Sequence, residues 1–158
     1  PLGDERVLVI EFEASAATSA EDVLMNMGTL AQALKANGLA HLDEIKISMA
    51  STAKEHKPIL RRAAEYDKVI VVTSDAHRNH SQAKLVQDLI KEHKRVIAVG
   101  TRTPYELQAF PEIPTYIAAY GSRPLVWDEA AQLLLGKSRA LGELPVTIPG
   151  FGTCTLEE

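Results

Sequence analysis

The sequence predicts an α/β fold, a three-layer sandwich with a mostly parallel, doubly wound sheet of about five strands. Two short apolar runs rich in β-branched residues, 69–73 and 96–100, bracket a segment of helical period at 82–93. This arrangement is typical of a β-α-β unit. Strand and helix patterns alternate along the chain without repeats or a linker rich in Pro, Gly or Ser. We therefore expect one α/β domain over residues 1–158, ending in an extended segment.

Five segments have the composition of strands. Three of them are nearly continuous apolar runs, the pattern of strands that are buried on both faces of a parallel sheet. The predicted strands cover residues 7–12, 45–48, 69–73, 96–100 and 116–120, of which the first, third and fourth are the continuous ones.

Four helices and a final extended segment complete the predicted domain. The helices cover residues 19–37, 52–66, 82–93 and 125–135. Ser19 is the expected N-cap of the first helix and Gly38 its C-terminal stop. Pro58 lies inside the second helix, which either begins near it or is kinked by it. Residues 142–150 are bounded by prolines and predict an edge strand or a strap across the domain.

Composition and charge exclude several function classes. The net charge of −4 argues against a nucleic-acid partner, because phosphate binding needs clustered Lys and Arg. No apolar stretch approaches the roughly 20 residues that span a bilayer, so no membrane partner is expected. Cys154 is the one cysteine, which permits no internal disulfide and supports no metal cage.

The amino end, Pro-Leu-Gly-Asp-Glu-Arg, has neither the charge nor the apolar run of a signal peptide. It also lacks an initiator methionine, so either Met was trimmed before Pro1 or the segment was cut from a longer polypeptide. The expected location is cytoplasmic; if the segment belongs to a longer parent protein, the parent's own amino terminus decides the location.

Nucleotide cofactors are not expected, and a metal is expected only under an alternative interpretation. A dinucleotide site needs Gly-x-Gly-x-x-Gly after the first strand, whereas the chain has Glu11 and Glu13 there and no glycine. These carboxylates and Asp75, which follows the third strand, could instead hold Mg²⁺ in a stand-alone small-ligand-binding or receiver-like signalling domain. The lysine that such a receiver carries after its fifth strand is missing, because residues 121–124 read Gly-Ser-Arg-Pro.

The candidate site is expected in the loops that follow the strands, since ligands of open α/β sheets bind at the carboxyl ends of the strands. The loop 74–81 holds an aspartate, an arginine and two histidines that could bind a polar substrate or act as acid and base. The composition of the loop favours a solvated turn in which Asn79 or Ser81 caps the next helix. The candidate substrate-binding residues are Asp75, His77, Arg78, His80, Arg102, Tyr105 and Arg123.

Several segments together resemble a known family. They are Gln-Ala-Lys-Leu-Val-Gln-Asp-Leu-Ile at 82–90, Val-Ile-Ala-Val-Gly at 96–100, Thr-Pro-Tyr-Glu-Leu at 103–107, Ile-Ala-Ala-Tyr at 117–120, Leu-Leu-Gly at 134–136 and Gly-Glu-Leu-Pro-Val-Thr-Ile-Pro at 142–149. They resemble the C-terminal α/β domain of glycoside hydrolase family 3, and the last is the most specific match. The short polar loop 74–81 is more similar to the β-N-acetylhexosaminidase branch than to the β-glucosidases.

The resemblance implies a parent protein that is a retaining glycosidase, with a TIM barrel followed by this domain. The family's Asp nucleophile belongs to the barrel, as does the His and Asp acid/base pair of the hexosaminidase branch. In the β-glucosidase branch an acid/base Glu comes from the loop after the third strand, but the loop 74–81 contains no glutamate. We therefore expect no catalytic residue in this chain, which alone should not cleave a glycosidic bond.

The resemblance also implies a partner and a role. The domain is expected to pack beside the TIM barrel and to shape the carbohydrate-binding cleft with loops 75–80, 101–105 and 120–123.

Overall fold

The computed structural model of the chain describes residues 2–13, 28–93, 95–142, 146 and 148–151. Five parallel strands form one sheet in the order β2-β1-β3-β4-β5. The strands are β1 (Val7–Glu13), β2 (Leu42–Ser48), β3 (Lys68–Thr73), β4 (Val96–Gly100) and β5 (Thr115–Ala118). The helices are α1 (Leu30–Ala36), α2 (Ala53–Ala63), α3 (His80–Glu92) and α4 (Pro124–Leu134). The predicted α/β fold with a doubly wound parallel sheet is confirmed.

The helices cover the two faces of the sheet in pairs. Along β1 the side chains alternate, so that Leu8 and Ile10 join the core beneath α2 and α3, while Val7 and Val9 join the core beneath α1 and α4. Both cores exclude solvent from the central strands, which explains why β1, β3 and β4 are nearly continuous apolar runs.

Two strands differ from their predicted bounds by more than one residue. β2 begins at Leu42, three residues before the predicted start, because Asp43 and Glu44 belong to an edge strand on which charged side chains are tolerated. β5 ends at Ala118 instead of residue 120. The reason is local backbone geometry, since Tyr120 has a φ of 55° and cannot continue an extended strand.

The prediction of one helix over residues 19–37 is wrong at Thr29. Thr29 has extended backbone angles, φ −126° and ψ 162°, and caps α1 through a hydrogen bond that its side chain accepts from the Gln32 N–H. No continuous helix can therefore run from residue 19 to 37, and the predicted cap Ser19 lies outside the described residues. Gly38, with a φ of 103°, follows the helix in the left-handed region, as predicted for the stop.

The other helices need smaller corrections. α2 begins at Ala53 and contains Pro58 in its interior. α3 begins at His80, two residues before the predicted start, and its cap is Asn79, whose side chain accepts a hydrogen bond of 2.9 Å from the Gln82 N–H. α4 begins and ends one residue earlier than predicted.

The predicted extended segment 142–150 is described only in part. Val146 packs against the core beneath α2 and α3, and Ile148 is buried there. Residues 143–145 and 147 lie outside the described residues, as does Cys154. Across the ranges described, no helix combines the length and the apolar character that a membrane crossing requires.

A buried histidine joins α2 to α3. His56 is 1% exposed, and its Nε2 lies 2.9 Å from Ser51 Oγ and 3.2 Å from Ser81 Oγ. Among the described residues its Nδ1 has no hydrogen-bond partner. Burial lowers the pKa of His56, despite the opposing influence of Asp88. The folded chain therefore favours the neutral ring.

We predict that the free energy of unfolding falls as the pH drops below about 6.5, the ordinary pKa of a histidine, because the unfolded chain then takes up a proton that folded His56 resists. His56→Gln should remove this part of the pH dependence, measured by urea unfolding at pH 5 and pH 8. The exposed His41, changed to Gln, is the matched control. An unchanged pH dependence in His56→Gln would contradict the prediction.

Candidate functional site

The loops that follow β3 and β4 lie side by side at the carboxyl edge of the sheet. Thr101 donates to the Thr73 carbonyl twice, from its backbone N–H at 2.9 Å and from its hydroxyl at 3.0 Å. Each loop then leads into a short 3₁₀ helix, Ala76–Arg78 after β3 and Pro104–Ala109 after β4. The two loops thus form one continuous surface where ligands of this fold class bind.

Asp75 is the centre of this surface. The Thr103 hydroxyl donates to its Oδ1 at 2.8 Å and the Thr103 N–H at 3.4 Å, while the Arg102 guanidinium lies 3.6 Å from Oδ2. Its backbone is left-handed, with φ 49° and ψ 47°, a conformation that is uncommon for residues other than glycine. Such a conformation persists where surrounding contacts hold it, and it often marks a functional site.

The environment of Asp75 keeps its carboxylate ionised. Burial acts to raise the pKa of Asp75, but the two hydrogen bonds from Thr103 and the charges of Arg102 and His77 outweigh it and lower the pKa below its usual value. An ionised carboxylate accepts hydrogen bonds from hydroxyl groups or pairs with a cation. It has no proton to donate, so this geometry suits binding and not general acid catalysis.

A second carboxylate lies beneath the loops. Glu106 is fully buried, and its Oε1 accepts hydrogen bonds from the Thr73 hydroxyl at 2.7 Å and the Tyr116 hydroxyl at 3.0 Å. Its Oε2 accepts from the Ala76 N–H at 2.9 Å. Burial raises the pKa of Glu106 even though these three donors act in the opposite direction. The side chain connects the ends of β3 and β5 to the 3₁₀ helix that follows β4.

The seven predicted site residues all lie in the loops or first helical turns at this edge, but the structure assembles only some of them. Asp75 and Arg102 form an ion pair, and His77 is close enough to influence the Asp75 pKa. No side-chain hydrogen bond or ion pair between described residues joins the other four to this group. They are exposed and comprise Arg78, His80, Tyr105 and Arg123. Their role in binding stays a prediction.

Sequence reasoning missed two residues that the site depends on. Thr103 directly precedes the 3₁₀ helix that begins at Pro104, but its side chain makes no capping hydrogen bond and donates to Asp75 instead. Glu106 is not among the predicted site residues, since an acidic side chain in a sequence normally indicates an exposed position. The available sequence signal is the apolar Leu107 beside it; in the structure Leu107 and Pro104, at the start of the same turn, are both buried.

The alternative metal site does not form. Glu13 pairs with Lys46 at 3.5 Å, and Glu11 lies near Glu44 on the face of the sheet that α1 and α4 cover. Within the part of the chain that the structure describes, no group of three or more potential metal-binding side chains occurs. Glu11, Glu13 and Asp75 therefore do not make the cation site of a receiver-like domain.

A groove of about 890 Å³ follows the outer edge of β5, away from Asp75. Both faces of β5 contribute to it, together with α4 and residues 138–142, and its lining is mostly apolar. Of the residues in the three predicted cleft-shaping loops, Tyr120 alone lines this groove.

Comparison with known proteins gives structural matches but no sequence-family match. No protein-family model matches the chain, and no curated protein matches it. Its structure is similar to a glycoside hydrolase family 3 β-N-acetylglucosaminidase from Paenibacillus sp. strain FPU-7, with a TM-score of 0.82 and 28% identity. That match covers 91% of this chain and 28% of the enzyme's chain.

A second similar structure is a fungal multi-domain family 3 β-N-acetylglucosaminidase with a GCN5-related glucosamine N-acetyltransferase region. The TM-score is 0.78, the identity is 22%, and the match covers 98% of this chain and 17% of the fungal chain. At this identity the second match shows the fold alone. The first match confirms the predicted resemblance to the C-terminal domain of glycoside hydrolase family 3, and this chain spans under a third of either matched protein.

We predict that Gly100→Ala destabilises the fold by about 1–3 kcal/mol, the usual cost of overpacking a core. A β-carbon at Gly100 would overlap the Tyr116 hydroxyl and the Glu106 carboxylate. Gly3→Ala is the control, because a β-carbon there meets nothing within 4 Å, and it should change stability by less than about 0.5 kcal/mol. Denaturant unfolding measures both, and equal stabilities would contradict the account.

A second prediction concerns Glu11, whose pKa burial and the neighbouring Glu44 raise to about 7. Because this value lies above that of the unfolded chain, ionisation of Glu11 costs stability as the pH rises from about 4.5 to 7. Glu11→Gln should therefore gain stability relative to wild type, by about 1–3 kcal/mol more at pH 8 than at pH 4. Unfolding at both pH values tests this, with the exposed Glu112→Gln as a control that should show no such difference.

Proposed function

We propose that this chain, which has the fold of the C-terminal domain of glycoside hydrolase family 3, is a non-catalytic domain that packs on a TIM-barrel catalytic domain and shapes its carbohydrate-binding cleft. The observation that carries the proposal is the match over 91% of this chain to part of a β-N-acetylglucosaminidase, at 28% identity. The parent protein is then a glycosidase of this β-N-acetylglucosaminidase or β-glucosidase-like type.

The chemistry of the carboxyl edge supports a binding role. Asp75 presents an ionised acceptor and Arg102 an exposed donor, the two groups with which proteins commonly hydrogen-bond sugar hydroxyls. The loops after β4 and β5 add the partly exposed rings of Tyr105 and Tyr120, which offer an apolar face and a polar hydroxyl. The three loops together present a polar centre beside aromatic groups.

The same edge supports packing against a partner domain. Tyr105, Tyr120 and Leu125 are 40%, 50% and 70% exposed, and they lie in the loop after β4, the loop after β5 and the first turn of α4. Large apolar side chains exposed along one edge are typical of surfaces that a partner covers. A neighbouring catalytic domain would cover them while leaving Asp75 at the junction.

A catalytic role has little support at this edge. Retaining glycosidases use two carboxyl groups about 5–5.5 Å apart on either side of the sugar. Of the two carboxylates at the ends of β3 and β4, Asp75 is held ionised and Glu106 is sealed beneath the loops. Glu106 cannot reach a sugar without unfolding the loop above it.

We expect the 158-residue chain alone to show no turnover of an aryl N-acetylglucosaminide, and the parent polypeptide to cleave it. In the parent, Asp75→Asn should raise KM by about tenfold with a smaller effect on kcat, since loss of one hydrogen bond to a charged group weakens binding by about 1.5–3 kcal/mol.

Asp4→Asn is the matched control, because Asp4 is exposed and precedes β1 at the opposite edge of the sheet. Turnover by the chain alone that Asp75→Asn abolishes would overturn the non-catalytic role. An unchanged KM in the parent variant would remove Asp75 from the cleft.

A further inference from the structure

We propose that Glu106 is a positioning residue, whose buried carboxylate holds the loop after β3 in the conformation that presents Asp75. The biological meaning of this inference rests on the proposed function, in which Asp75 faces the substrate cleft. Glu106 would set the conformation of Asp75 whether or not a sugar binds there.

The hydrogen bonds of Glu106 bracket Asp75 along the chain. Oε1 accepts from the hydroxyl of Thr73, two residues before Asp75, and Oε2 accepts from the N–H of Ala76, the residue directly after it. One carboxylate therefore fixes both sides of the turn that Asp75 occupies. Thr73 and Ala76 are themselves buried, so their groups have no access to water as a substitute partner.

Loss of this carboxylate would release the strained backbone at Asp75. Its φ of 49° is unfavourable without contacts that maintain it. If Glu106 no longer accepted from Ala76, a buried N–H would be left without a partner, which costs about 1–3 kcal/mol. The loop would relax to an arrangement that exposes this N–H, and Asp75 would move with it.

Glu106 is fixed by its own hydrogen bonds, and it belongs to the same segment as Thr103, whose hydroxyl donates to Asp75. It lies three residues after Thr103, which donates to Asp75, in the 3₁₀ helix that begins at Pro104. The Tyr116 hydroxyl of β5 donates to it at 3.0 Å. The absence of a side chain at Gly100 leaves room for both groups. The segment 102–106 thus contacts the Asp75 side chain through Thr103 and, through Glu106, the backbone and side chain of the loop that carries Asp75.

The change in the Asp75 pKa on replacing Glu106 distinguishes a purely electrostatic effect of Glu106 from a positioning effect, because the two predict changes in different directions. The charges of Arg102 and His77 lower the pKa of Asp75, while Asp75 itself raises the pKa values of Glu106 and Tyr116. If Glu106 acted only through its charge, replacing it with glutamine would lower the pKa of Asp75 or leave it unchanged. If Glu106 positions the loop, the replacement loosens the hydrogen bonds from Thr103 and raises the pKa of Asp75.

The experiment is a carboxyl titration of Asp75 by NMR in the wild-type chain and in Glu106→Gln, Thr103→Val and the double variant. We expect the pKa of Asp75 to rise in both single variants and the double variant to rise no further than the larger single one, since both changes act on the same contact. Hydrogen exchange of the Ala76 amide should accelerate about tenfold in Glu106→Gln. A lowered or unchanged Asp75 pKa in Glu106→Gln overturns the inference.

Two further variants keep the test decisive. Tyr116→Phe removes one donor to Glu106 but leaves the bonds to Thr73 and Ala76, so the Asp75 pKa should not change. Thr73→Val removes one of the two bracketing bonds and should raise it, and an unchanged value there also overturns the inference even if Glu106→Gln does not fold. Neither result bears on sugar binding, which the kinetic test of Asp75→Asn decides separately.

Discussion

All five strands run in the same direction, and this constraint determines where the chain can function. Their carboxyl ends meet at one edge, so the loops after β3, β4 and β5 become neighbours although they are separated along the chain. The parallel arrangement is possible because helices cover both faces and keep the central strands dry. The candidate site is therefore a consequence of how the core is buried.

Burial divides the carboxylates of this chain into different roles. Asp75 lies near the surface among donors and a guanidinium, which lower its pKa, so it serves as a charged acceptor. Glu106 lies beneath it without solvent, where burial raises its pKa and three donors satisfy its oxygens. The same functional group is thus an ionised acceptor near the surface in one layer and a buried hydrogen-bond acceptor in the layer below.

The chain matches only one part of each of two larger enzymes. The matched domain makes up 28% of the Paenibacillus enzyme and 17% of the fungal one, so in both proteins most of the chain lies in other parts. In this chain the loops after β3 and β4 lie together at one edge of the sheet, and the Glu106 carboxylate is buried beneath them. Hydrogen bonds between the β3 and β4 loops fix the two loops relative to each other.

The sequence by itself determined the α/β class, the buried central strands, most of the helices and the edge where polar loops gather, because periodicity and apolar runs are local properties of the chain. It also singled out Asp75 and Arg102 as candidate binding residues. Only the tertiary structure decided that α1 begins after Thr29 and that the Thr103 hydroxyl donates to Asp75. It alone showed that Glu106 and His56 are buried with partners far along the chain. A polar residue's burial depends on what packs over it, and no local pattern encodes contacts between residues that lie about 30 positions apart along the chain.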